Sequence, residues 1–71
     1  MTKEELVNEL KEIGFSWYGR GELTKYLVYS WFTIYIFNSK KCRVIELNNQ
    51  DNELSREVLT YEQTLNKFKN T

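Results

Sequence analysis

Twelve consecutive residues, YLVYSWFTIYIF at positions 26–37, carry no charge, no glycine and no proline, and six of them are aromatic. Any fold of this chain must bury the run or put it to use. A bilayer-spanning helix needs about 20 apolar residues, and as a helix this run would reach only about 18 Å. Tyr, Val, Trp, Phe, Thr and Ile also favour strands. The run is therefore expected to be β structure, with no membrane association. As one strand it would extend about 40 Å at about 3.3 Å per residue, too long for so short a chain. It must break, and Ser30 is the expected place, with strands over 24–29 and 31–38.

A chain of 71 residues is one domain at most, residues 1–71, with room for one sheet and a couple of helices. Thr2 followed by Glu5 fits a capping box. Leu6, Val7, Leu10 and Ile13 share a face at helical spacing, and Gly14 suits a helix C-cap. The expected helix covers residues 3–13. Phe15–Tyr18 can form a short strand, and Gly19 and Gly21 mark a turn. NSKK (38–41) is a turn, CRVIELN (42–48) the return strand, and NNQDNE (48–53) a loop. Thr60 with Gln63 is a second capping-box candidate, which starts a helix of about 60–69. The apolar spacing of Leu54, Val58, Tyr61, Leu65 and Phe68 would carry that helix back to Ser55, so its start stays open.

The expected fold is α+β, in the order α-β-β-β-α. It has a small antiparallel sheet and both terminal helices packed on one face. A two-residue turn at Ser39 and Lys40 would pair Ile34 with Ile45, Phe32 with Leu47 and Tyr35 with Val44. Phe32, Ile34, Ile36, Ile45 and Leu47 then form the helix-covered face. Tyr29, Trp31, Thr33, Tyr35 and Phe37 face outward, with Cys42 and Val44 nearby. A slip of one residue would swap the faces.

The chemistry-bearing residues are sparse. The chain has no histidine, which removes the commonest general base and transition-metal ligand. Cys42 is the one cysteine, so no internal disulfide forms. Lys40, Lys41 and Arg43 could lower its pKa, but a small residue filling a sheet position is the simpler reading. Glu4, Glu5, Glu9 and Glu12 read as the solvated side of the first helix. Gly14, Gly19 and Gly21 are too widely spaced for a phosphate loop. Asn49, Asp51 and Glu53 do not fit a calcium loop. No catalytic, cofactor or metal site is expected, and no enzymatic activity. The acidic, amphipathic start MTKEELVNEL is unlike a secretory signal, so the expected location is cytoplasmic.

Charge is segregated although the total is zero. Residues 20–43 hold Arg20, Lys25, Lys40, Lys41 and Arg43 against Glu22, a net of +4. Residues 1–19 and 44–71 each come to −2. Basic charge beside stacking rings is what single-stranded nucleic-acid binding uses, although a neutral chain attracts phosphate weakly at long range.

The segments FTIYIFN, NNQDN and LTYEQTLNKFK, in a short histidine-free chain rich in Asn, Lys and Tyr, resemble the small proteins of phages and prophages of low-GC Gram-positive bacteria. The likeness is one of composition and order over most of the chain. It implies a small accessory protein that binds a host or phage component. The α-β-β-β-α order also resembles the HicA-type toxin and double-stranded-RNA-binding folds. The toxin's catalytic histidine has no counterpart here, so that activity is not implied.

The expected function is therefore a non-enzymatic interaction protein without a cofactor. It would bind a protein partner or self-associate through the aromatic sheet face, with Tyr29, Trp31, Tyr35, Phe37, Lys40, Lys41 and Arg43 as candidate partner-binding residues. The second reading is a weak binder of single-stranded nucleic acid through residues 20–43.

Overall fold

The computed structural model describes residues 1–69. The first helix, α1 (Lys3–Ile13), begins with the capping box. The Thr2 hydroxyl accepts from the Glu5 N–H at 3.1 Å, and the Glu5 carboxylate accepts from the Thr2 N–H at 3.2 Å. The bond from the Thr2 N–H, with the Thr2 hydroxyl beside it, holds the Glu5 carboxyl below its usual range. At the other end Gly14 takes φ 118°, a value glycine adopts without Cβ strain. The Lys25 ammonium donates to the Ile13 carbonyl at 3.1 Å and so caps the helix from the sheet.

Five strands follow: β1 (Ser16–Trp17), β2 (Glu22–Tyr26), β3 (Ser30–Ile36), β4 (Lys41–Asn48) and β5 (Glu53–Thr60). They form an antiparallel meander in sequence order. The chain closes with α2 (Tyr61–Lys69), started by a second reciprocal cap between Thr60 and Gln63. The fold is α+β. Both helices cover one face of the sheet, and their apolar sides meet it in a single core. Leu6 and Leu10 come from α1, and Tyr61, Leu65 and Phe68 from α2. Leu23, Ile34, Ile36, Cys42 and Val44 come from the strands, with Phe15 between α1 and β1. The Phe68 ring meets Phe15 and Phe32 edge-on at 4.9 and 5.1 Å, locking α2 to both the α1–β1 corner and β3.

Three expectations are corrected. The sheet has five strands, so the three-stranded order behind the likeness to the toxin and double-stranded-RNA-binding folds does not hold. One added strand is β5, over residues left between loop and helix. Its apolar residues match a helical stripe as well as a strand, and the ladder with β4 decides the matter. The other is β1, two residues within the Phe15–Tyr18 segment expected to be able to form a short strand. The long apolar run does break, but at 27–29, and Ser30 already belongs to β3.

The third correction is the β3–β4 register. Ile34 lies opposite Val44, Phe32 opposite Glu46 and Tyr35 opposite Arg43. The Phe37 N–H donates to the Lys41 carbonyl at 2.8 Å, so the loop is Asn38–Ser39–Lys40, three residues instead of two. Lys40 takes φ 61°, the left-handed residue that ends such a loop. The one-residue slip changes the faces of β4 alone. Cys42 and Val44 turn into the core, and Ile45 and Leu47 turn to the other side. The β3 assignment holds, with Ile34 and Ile36 buried and Phe32 packed against the core.

Candidate functional site

The face of the sheet away from the helices carries three cross-strand rows. Thr24, Thr33 and Ile45 lie side by side in the middle one. They are buried although no helix covers this face. Two residues away along β3 and β4 stand Trp31, Tyr35, Arg43 and Leu47, which form parts of the other two rows. Glu22, Tyr35, Arg43 and Val58 make one row, while Tyr26, Trp31 and Leu47 make the other. Tyr26 and Trp31 stack with ring centroids 5.6 Å apart. The Glu22 carboxylate accepts from the Thr33 hydroxyl at 3.5 Å.

The residues expected to bind a partner divide into three places. Tyr35, Phe37, Arg43 and Lys41 gather at one end of this face. The Arg43 guanidinium lies over the Phe37 ring, 5.3 Å from its centroid. Trp31 lies toward the other end of β3, in the stack with Tyr26. Tyr29 is on neither row; it sits in the β2–β3 turn. Lys40 sits in the β3–β4 turn, and its carbonyl accepts from the Tyr61 N–H at 3.3 Å.

The largest exposed apolar feature is that β2–β3 turn. Tyr26, Leu27, Val28 and Tyr29 are 69, 47, 78 and 83% exposed. The Leu27 N–H donates to the Ser30 carbonyl at 2.8 Å, so Val28 and Tyr29 form a two-residue turn. Hairpin turns of this length favour Asn-Gly or Asp-Gly with positive φ. Neither residue here has positive φ, and one is β-branched. The Asn49 side chain donates to the Val28 carbonyl at 3.2 Å and steadies the turn from the β4–β5 loop. Below the turn, Leu27, Phe32 and Phe68 with Lys25 and Lys67 line a groove of about 210 Å³. Sequence reading missed Tyr26, Leu27 and Val28 as surface residues, because without a glycine or asparagine the turn could not be told from strand.

Cys42 is fully buried beneath the helices. Burial pushes its thiol pKa up; the neighbouring Thr64 hydroxyl works in the opposite direction without reversing the shift. The three cationic side chains near it in sequence do not activate it, since Lys41 and Arg43 point to the opposite face. Among the described residues, no cluster of three or more His, Cys, Asp or Glu side chains is placed to hold a metal ion. No helix among them is long and apolar enough to cross a membrane. No family model, no curated protein and no solved structure matches this chain.

Proposed function

We propose that this chain is a non-enzymatic binding protein that presents the Tyr26–Tyr29 turn and the adjoining aromatic sheet face to another protein. One observation carries the reading. A two-residue turn holds Val28 and Tyr29, both wide open to water, where small polar residues are usual. Local rules broken without local benefit mark functional positions. Exposed contiguous apolar surface of this kind is what partner sites present. Trp31, Tyr35 and Val58 extend the surface across the sheet, and Arg43 and Lys41 give it a basic end. Aromatic and arginine side chains are the usual anchors of such contacts. The resemblance to small phage proteins fits an accessory role in the cytoplasm, with a host or phage protein as the target.

Replacing Val28-Tyr29 with Asn-Gly tests this directly. The change removes the two exposed apolar side chains and leaves the strand pairing on either side in place, so the fold should hold. Proteins captured from the lysate of a low-GC Gram-positive bacterium by the parent chain should be lost with the variant. Capture of the same proteins by both chains would sink the proposal.

A second reading rests on Lys41 and Arg43. Neither forms an ion pair among the described residues, and both lie by Phe37. That end of the face suits a phosphate and a stacked base. It predicts that a fluorescently labelled single-stranded oligonucleotide gains anisotropy on adding the protein at low salt, and that Lys41→Ala weakens the gain. An unchanged anisotropy removes it.

A further inference from the structure

The two edges of the sheet are unequal. One is β1, two residues long; the other is β5, eight residues long. In an antiparallel pair, alternate residues turn their backbone groups toward the partner strand. The bond from Phe37 to Lys41 fixes that alternation. Odd residues of β4 bond to β3, and even residues bond to β5. Cys42 and Val44 therefore face Leu59 and Glu57. Arg56 and Val58 then direct their N–H and C=O groups away from the sheet, where no described strand receives them. Exposed edges are commonly blunted by Pro, charged side chains, bulges or shortness. β5 is long and has no Pro, and its irregularity lies at the Glu53–Ser55 end, before Arg56 and Val58. Its charges are neutralised in place: Arg56 donates to Glu53 at 2.7 and 2.9 Å, and Lys67 holds Glu57 at 2.9 Å.

We propose that two copies of this chain join edge to edge through β5, antiparallel about a two-fold axis normal to the sheet. The free backbone groups select both the occupant and the register. An axis normal to the sheet keeps like faces together, so residues of like parity meet. Setting Arg56 opposite the partner's Val58 makes a pair that exchanges both bonds, and symmetry repeats it. A shift toward the C-terminus would need Thr60, whose N–H already goes to Gln63 and whose carbonyl accepts from the Thr64 hydroxyl. A shift the other way would need Leu54, at the irregularity opposite Glu46 and Leu47. The favoured register sets the two Glu57 side chains opposite each other at the axis, where like charge opposes pairing, and each is offset by its own Lys67 at 2.9 Å. β1 is too short to receive β5, so the pairing closes at two copies and does not continue as a fibre.

The edge shares Val58 with the sheet face but includes none of the Tyr26–Tyr29 turn, so the Val28-Tyr29 variant and the Val58 variants let the two ideas fail separately. Sedimentation and amide exchange read the edge. Raising the concentration from about 10 µM to about 1 mM should populate the dimer. It should also slow exchange of the Arg56 and Val58 amides by about tenfold or more. Val58→Pro removes an outward N–H that no ladder bond uses, so the monomer should fold and the dimer should be lost. Val58→Lys should act likewise and covers the case in which the proline disturbs folding. The Val28-Tyr29 to Asn-Gly variant should still dimerise. A wild-type chain that stays monomeric at about 1 mM overturns the proposal. So does a dimer that survives both Val58 variants, or one whose Arg56 and Val58 amides exchange as fast as in the monomer.

Discussion

The Tyr61 hydroxyl donates to the Phe37 carbonyl at 2.9 Å, tying the first turn of α2 to the strand end that enters the β3–β4 loop. The ring itself is buried in the core. Tyr61→Phe keeps the ring and removes the donor, leaving the carbonyl unsatisfied. The expected cost is about 1–2 kcal/mol. In a domain of this size each kcal/mol moves Tm by about 4–8 °C. A thermal melt indistinguishable from the parent would show that the bond is absent in solution.

The same corner makes the fold sensitive to alkali. Burial raises the Cys42 thiol above its ordinary value of 9.0. It also raises the Tyr61 phenol above 10.0, with the nearby Cys42 adding to the shift. A raised acid pKa means that the folded state holds its proton more tightly than the unfolded state. The associated stability is therefore complete below the unfolded value and is lost as pH rises through the folded one. Tm should begin to fall as pH passes 9.0 and fall faster beyond 10.0. Cys42→Ala should remove the earlier part of the decline. A flat Tm across that range would contradict the burial of both groups.

Leu10 is fully buried on α1, while its neighbour Glu9 is half-buried and reaches the Lys69 ammonium at 3.5 Å. Leu10→Ala should cost about 2–5 kcal/mol. That is a large part of what so small a domain holds, so the variant should be mostly unfolded or aggregating at physiological temperature. Glu9→Ala loses only an ion pair open to solvent on one side and should change stability by less than about 0.5 kcal/mol. Equal melts for the two would mean that α1 does not cover the sheet.

The contrast between helix and sheet shows what could be read from the residues alone. α1 was legible because cap, apolar stripe and terminal glycine all agree. The buried face of β3 was legible because its aliphatic residues alternate with larger polar-tipped rings. β4 was not, because CRVIELN has Val44 and Ile45 adjacent, and either one can face the core. Its register was then set by the loop, where one residue more or fewer reverses the strand. β5 was hidden because an exposed edge strand needs no regular apolar alternation. Of the candidate surface, the rings on β3 were found, while the Tyr26–Tyr29 turn was concealed by its own composition.

The β3–β4 loop supplies a test that separates the two registers by chemistry alone. In the three-residue loop only Lys40 has positive φ, at 61°, and Ser39 does not. A lysine in that conformation carries Cβ strain of about 1–2 kcal/mol, which glycine avoids. Part of that gain is offset by the greater freedom glycine has in the unfolded chain, about 0.5–1 kcal/mol. Lys40→Gly should therefore stabilise the protein by about 0.5–1 kcal/mol. Ser39→Gly gains nothing from φ and bears only the entropy term, so it should destabilise by about 0.4–1 kcal/mol. A two-residue turn of the common primed type would need positive φ at both positions, and both substitutions would then stabilise. Opposite shifts in the two melts match the observed loop, with Cys42 and Val44 in the core. Stabilisation by both would return Ile45 and Leu47 to the helix-covered face and turn Val44 outward.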